Sequence, residues 1–265
     1  MVGIIAEKSG KRSTCLSDHQ CTFTLDEYRY ILTCGMQSGY RFVDFKDLKS
    51  NASAPYCVLR HDIDSDLRQA AAMGAVEKEI GVSSTYFLML HSPIYNLFSR
   101  ANTSYVSSLL DKGHEIGLHF DELYYASGST DEMNSQIREE VALLQKTFGT
   151  DIQAVSFHQP GRRVLENDIS LPDGLLNTYN RNDMSGIHYI SDSNMNWQEA
   201  CPSILLREQR YDRLQLLIHP MWWTPAPMPV ETKWNRALVE QFELMQDQLL
   251  ECERAYGPER SFVIQ

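Results

Sequence analysis

The sequence predicts an α/β chain built on a parallel sheet. Short apolar runs alternate with longer stretches whose apolar residues recur at spacings of three and four. Five of the eight histidines, His61, His91, His119, His158 and His219, each stand directly after one of those apolar runs. Strand, helix, strand, helix in this order requires parallel pairing, in a sheet either open or closed into a barrel. Periodicity leaves both closures open.

The elements follow in order. Residues 24–35 read as a helix and 40–45 as a short alternating segment, with a loop at 50–55. Residues 56–59 form an apolar strand. A helix over 65–80 ends at Gly81, where a left-handed residue suits a helix C-terminus. A strand at 85–90 precedes a helix through Tyr105, Val106, Leu109 and Leu110 that stops at Gly113, and 115–118 is the next strand. Ser129 and Glu132 have capping-box spacing ahead of Met133, Ile137, Val141, Leu144 and Phe148. Strands follow at 152–157, 187–190 and 214–218, and Trp234 to Cys252 marks a long C-terminal helix. The polar stretch 161–183 reads as a functional or insertion loop.

Composition narrows the function classes. A net charge of −11 argues against a nucleic-acid binder, which needs a basic stripe to neutralise phosphates. No segment has the apolar length of a membrane span. The apolar stretch at 2–6 ends at Glu7 and Lys8 without the features of a secretory signal, which points to a cytoplasmic protein. Six cysteines lack CxxC spacing, so free thiols in a reducing compartment are expected. Oligomeric state is not legible.

Candidate chemistry gathers where the strands end. Parallel strands present their C-terminal ends on one face, where α/β enzymes build active sites. One strand-end histidine would be unremarkable; five are hard to explain as packing, although His91 is the first candidate for a structural role. Asp62 and Asp64, two apart in an extended segment, point the same way. Like charges so close repel unless a cation sits beside them. A metal ion resolves this: one carboxylate ligates it and the other serves as general base. The competing reading is an exposed Asp-x-Asp in which Asp64 or Ser65 merely caps the following helix.

Four motifs make the comparison specific: Arg60-His61-Asp62-Ile63-Asp64, Gly113-His114-Glu115-Ile116-Gly117-Leu118-His119, Ser156-Phe157-His158-Gln159-Pro160-Gly161 and Leu217-Ile218-His219-Pro220. On these, over residues 56–223, the chain resembles the NodB-like polysaccharide deacetylases (carbohydrate esterase family 4), and most closely a divergent branch associated with surface-polysaccharide biosynthesis. The resemblance implies a distorted (β/α)7 barrel over 56–265, with residues 1–55 as an N-terminal extension packed on it. It implies a divalent metal ion, zinc by preference, and removal of an N-acyl group, acetyl in the first instance, from a sugar. Matched by motif, Asp62 is the general base, Asp64 a metal ligand, His119 a second ligand and His219 the general acid. Asp192 would orient His219 or bind substrate.

One position departs from the family pattern. A second histidine is expected four residues after His119, and Leu123 stands there. His158 is the favoured replacement as third ligand. Trp197, Trp222 and Trp223 are candidates for stacking on a sugar ring, with one of the last two expected to pack on the C-terminal helix. Arg162 and its neighbour Arg163 are candidates for binding an anionic group on the substrate. His114, at the start of its strand, reads as structural. Two other readings stay open: an allantoinase-like amidohydrolase acting on a small amide, and a degenerate, non-catalytic glycan-binding member.

Overall fold

The computed structural model describes residues 21–49 and 55–257; the apolar stretch at 2–6, Cys15 and most of the loop expected at 50–55 lie outside the described residues. In chain order the elements are α1 (Leu25–Gln37), β1 (Arg41–Val43), α2 (Phe45–Lys49), β2 (Tyr56–Ile63), α3 (Leu67–Ile80), β3 (Thr85–Leu88), α4 (Arg100–Asp111) and β4 (Glu115–Phe120). They continue with α5 (Glu122–Tyr125), α6 (Thr130–Phe148), β5 (Ala154–Phe157), α7 (Arg162–Glu166), β6 (Leu176–Asn177), β7 (His188–Ser191), α8 (Pro202–Arg207), β8 (Arg213–Ile218) and α9 (Val230–Cys252). No helix among the described residues is long and apolar enough to cross a membrane.

Every strand pair is parallel. Seven strands form a continuous path in the order β6-β5-β4-β3-β2-β8-β7. The path carries helices on its outer side and its end strands, β6 and β7, do not pair, so the sheet is a distorted (β/α)7 barrel left open at one seam. The rings of Tyr179 and Tyr189 face each other across that seam, centroids 6.4 Å apart. The eighth strand, β1, lies off the path. It pairs with Tyr56–Val58 of β2, while β3 pairs with Arg60–Ile63, so the two share one edge of β2 while β8 holds the other.

Alternation along the strands sorts side chains into two layers. On β2, Cys57, Leu59 and His61 face the outer helices, where Cys57 and Leu59 join Tyr28, Ile31 and Leu32 of α1 in a buried cluster. Tyr56, Val58, Arg60 and Asp62 face inward, and Tyr56 and Val58 pack with Phe45, Phe87 and Ala154. Gly117 on β4 is required here. A Cβ at that position would lie 2.4 Å from the Phe87 ring, so only glycine lets the ring fill the barrel interior.

Helix ends follow local chemistry. Gly81 closes α3 in the left-handed conformation (φ 76°). The N-cap of α3 is Asp66, whose carboxylate accepts from the Gln69 N–H at 2.9 Å, rather than Asp64 or Ser65. Ser129 caps α6 by accepting from the Glu132 N–H, while Glu132 accepts from the Gly128 N–H instead of completing the reciprocal box. Within the stretch expected to be a loop, β6 is a two-residue strand, too short to leave a periodic signal.

Two of the five strand-end histidines are structural. His61 points outward and stacks on Tyr86 at 4.3 Å, and its Nε2 lies 2.7 Å from Glu77 Oε1. His91 stacks on Tyr124 at 3.6 Å and faces Tyr125 and Glu140. Glu77, wholly buried on α3, also accepts from Tyr28, from Ser84 Oγ at 2.6 Å and from Tyr86 at 3.0 Å. Burial opposes its ionisation, but His61 and His114 hold its carboxyl below the usual range. His114, itself buried, bonds the Gly74 carbonyl through Nε2. Replacing one member of such a buried charged cluster strands the others. Glu77→Ala is expected to lower unfolding free energy by about 3–5 kcal/mol in urea denaturation; a loss near zero would show that the cluster is not held together by this carboxylate.

Candidate active site

The inward parity of four strands assembles the site at their C-terminal ends. On β2 it aims Arg60 and Asp62 into the barrel and carries Asp64 to the mouth. On β4 it aims His119 inward, beside Ser156 of β5 in register. His158 follows β5, and His219 follows β8. A cavity of about 370 Å³ opens at this mouth, lined by Asp62, Asp64, His119, His158, His219 and Trp222 among others. That size lies within the range of small-molecule sites.

Asp64, His119 and His158 offer one oxygen and two nitrogens lying within 4.8 Å of one another. Asp64 Oδ1 is 3.0 Å from His119 Nε2 and 3.2 Å from His158 Nδ1. The far side of the His119 ring is fixed by a 2.6 Å bond between Nδ1 and Ser156 Oγ, which leaves Nε2 directed at the cluster. Burial opposes charge on Asp64, yet the hydrogen bonds from His119 and His158 hold its carboxyl far below the usual range. The same contact with Asp64 raises His158 against the opposing effect of burial. One carboxylate and two imidazoles are a donor set that suits zinc and related divalent ions, and three protein ligands leave positions open toward the cavity. The residues therefore fit the ion the sequence calls for. Leu123 is far from this role: its side chain is 75% exposed on α5.

Asp62 is engaged differently. Arg60 grips it bidentately, Nε to Oδ1 at 2.8 Å and Nη2 to Oδ2 at 2.7 Å, with both side chains buried. Burial alone would raise the Asp62 carboxyl, but the charges of Arg60 and His119 hold it below its ordinary value. Its carboxylate is not one of the three groups gathered at Asp64, although Oδ2 lies 3.6 Å from His119 Nδ1. Remaining donors of Arg60 reach Gln215 Oε1 at 3.2 Å and the Tyr179 hydroxyl at 3.1 Å.

His219 is braced by Asp192. The wholly buried carboxylate accepts from His219 Nδ1 at 2.6 Å, from the His219 backbone N–H at 3.0 Å and from Trp223 Nε1 at 2.8 Å. Asp192 itself does not line the cavity; it orients the imidazole so that Nε2 is the nitrogen left for other chemistry. Burial disfavours the imidazolium, but Asp192, followed by Asp64 and Asp62, outweighs it and raises His219 to about 9. These contacts favour the protonated form of the ring.

The aromatic expectations divide. Trp222 lines the cavity and meets Trp234 of α9 edge-on, centroids 5.8 Å apart. Trp223 is fully buried against Phe23 and Tyr28 and has no face to offer. Trp197, expected at the substrate, stacks on Phe23 at 5.9 Å and is not part of the cavity wall. Arg162 is exposed at the start of α7, also outside the cavity wall, and Arg163 donates to the Ser127 carbonyl. Trp234 and Tyr179 join the cavity lining without having been expected there. Trp234 carries a helical spacing that signals packing, and Tyr179 lies in the stretch with no periodicity at all. Arg60 and Ser156 stood inside the quoted motifs, but nothing in the sequence reveals which carboxylate or imidazole each would hold.

No protein-family model matches this chain, and no curated protein matches it. Solved structures of similar shape are found. A family 4 carbohydrate esterase from Bacillus anthracis is 13% identical, with 90% of this chain and 96% of that one covered at a TM-score of 0.41. The Xyl-CE4 domain of a multidomain xylanase from the hindgut metagenome of Trinervitermes trinervoides is 14% identical, covering 72% and 83% at 0.40. A family 4 acetyl xylan esterase from Clostridium thermocellum, in complex with a cobalt ion, is 15% identical, covering 71% and 84% at 0.38.

The Asp192–His219 contact generates a titration test. In metal-free protein, the His219 imidazole followed by NMR should titrate near pH 9. In Asp192→Asn, loss of the adjacent charge should move the midpoint down by about one to three pH units. An unchanged midpoint would remove Asp192 as the cause.

Proposed function

We propose that this protein is a metal-dependent hydrolase that removes an N-acyl group, acetyl in the simplest case, from a sugar or sugar precursor in polysaccharide biosynthesis. The observation that carries the reading is the sharing of one cavity by three kinds of group: the Asp64–His119–His158 donor set, the ionised carboxylate of Asp62, and the imidazolium of His219. Metal-assisted hydrolysis needs an ion site, a proton acceptor and a proton donor, all reaching the same substrate bond.

A divalent ion, zinc by preference, would be held by Asp64, His119 and His158, and when bound it supplies Lewis acidity toward a carbonyl oxygen and lowers the pKa of water. Asp62 receives the proton of the attacking water on a carboxylate oxygen, which retains lone pairs beyond those used by Arg60. Arg60 fixes the direction of that carboxylate and stabilises its charged form. His219 donates from Nε2 to the departing nitrogen, and Asp192 keeps the ring in the tautomer and orientation for doing so. The departing amine needs that proton because an amide anion is a very poor leaving group. Trp222 and Trp234 supply apolar ring faces beside the reacting groups, a surface suited to the C–H faces of a pyranose. For a cytoplasmic protein, the acylated sugar would be a nucleotide-linked or lipid-linked precursor.

Acetate release from a panel of N-acetylated and nucleotide-linked sugars, with cyclic ureides alongside, tests the reading. Zinc-loaded protein should release acetate, and Asp62→Asn should slow it about 10²–10⁴-fold with bound metal unchanged. Asp64→Asn and His158→Ala should each lose both the bound ion and the activity, whereas Leu123→Ala should lose neither. Full activity after chelation would overturn the proposal. Turnover of cyclic ureides alone would reassign the substrate.

A further inference from the structure

A second group of metal-ligating side chains lies apart from the cavity just described. Cys21, Glu27 and Cys201 present two sulfurs and a carboxylate oxygen within 4.8 Å of one another. Cys21 precedes α1, Glu27 lies in its first turn and Cys201 is the N-cap of α8, so the donors come from two helices that pack together. Glu27 and Cys201 are 6% and 2% exposed, and both cysteines are free thiols.

The surroundings hold these donors in place. One carboxylate oxygen of Glu27, Oε2, accepts from the Phe23 N–H at 3.1 Å, from the Thr22 hydroxyl at 2.7 Å and from the Thr22 N–H. The other, Oε1, lies 3.8 Å from Cys201 Sγ. Ser203 Oγ, at 3.3 Å, donates to the same sulfur. An ion bound at about 2.3 Å from sulfur and about 2.0–2.2 Å from oxygen requires donor separations of this order.

Cys21 also lines a cavity of about 410 Å³, together with Thr22, Met195, Pro227, Met228 and Pro229, which shares no residue with the wall of the Asp64 cavity. Met195 and Met228 thus share that cavity wall with Cys21. Met195 reaches this place through two successive left-handed residues, Asn194 (φ 57°) and Met195 itself (φ 54°). That conformation is uncommon away from glycine and concentrates at functional sites.

We infer that Cys21, Cys201 and Glu27 form a second cation site, selective for thiophilic ions such as zinc or cadmium, with its remaining coordination directed toward the methionine-lined cavity. Soft sulfur donors favour such ions over magnesium or calcium. Each thiol releases its proton to solvent as it becomes a ligand. Bound metal would join the segment entering α1 to the start of α8 and steady the 193–195 turn, two of whose residues, Ser193 and Asn194, line the Asp64 cavity.

The Asp64 set contains no sulfur, which makes the two sites separable by spectroscopy. The reduced Asp64→Asn protein, titrated with cadmium chloride, should take up one equivalent with an ultraviolet sulfur-to-cadmium charge-transfer band. Cys201→Ser and Cys21→Ser, each introduced in that background and checked for folding by circular dichroism, should lose the band and the equivalent. Absence of the band in reduced Asp64→Asn protein overturns the inference, as does a band that survives in either folded serine variant. Because the readout is metal uptake without turnover, the result stands whether or not the hydrolase proposal holds.

Discussion

The barrel is organised around a charge it could not otherwise tolerate. Arg60 is fully buried on its central strand, and an unpaired guanidinium there would cost several kcal/mol after relaxation. Asp62 neutralises it through two parallel bonds, and Gln215 and Tyr179 take further donors. Gln215 in turn donates to the Thr178 carbonyl at 3.3 Å. The network therefore links β2 and β8 to the chain just after β6, near the seam where β6 and β7 fail to pair. The rings of Phe87 and Tyr179, 5.4 and 4.9 Å from the guanidinium carbon, complete its enclosure. One ion pair orients a carboxylate and helps hold the open edge of the barrel together.

The remaining site geometry follows from strand parity. Because alternate residues face opposite layers, His61 is directed to the helices while its neighbours Arg60 and Asp62 are directed to the interior. The outward layer has its own polar centre at Glu77, separated by the sheet from the inward one. Both draw on β2, through His61 on one face and Arg60 and Asp62 on the other, and its close packing on both faces explains why a strand with three polar residues can be buried along its whole length. Lys233 adds a further tie: its ammonium, 1% exposed, donates to the Phe23 carbonyl at 3.0 Å and to that of Trp222. Burial lowers it to about 8. This anchors α9 beside the loop after β8 and brings Trp234 to the cavity.

Most of the fold was legible because its signals are local. Alternating apolar runs and helical spacings located the longer helices and every strand but β6, and Gly81 terminated its helix for the expected steric reason. The short helices α2, α5, α7 and α8 and the two-residue β6 hold too few residues to leave a period. The clustering of Asp64, His119 and His158 was legible because parallel topology converts strand-end positions into neighbours. Long-range packing was not. Trp197 and Trp222 look alike in sequence, and only the path of Phe23 across the structure determines that the first is covered while the second faces the cavity. The exposure of Leu123 on α5 and the approach of His158 to Asp64 from the end of β5 likewise leave no local pattern in the sequence. The Cys21–Cys201 proximity had no sequence signal, since the two cysteines lie at opposite ends of the fold's primary order and resemble no spaced motif.

The Phe87 ring over Gly117 has a consequence for traffic. With the interior filled by that ring, by Phe45 and by the enclosed Arg60, the cavity is a blind well and not a tunnel. Whatever enters must leave by the same opening, so a reaction that yields two fragments must release them in sequence or side by side through one door. With the barrel interior packed in this way, only a group small enough to enter at the mouth can reach Asp62, Asp64 and His219.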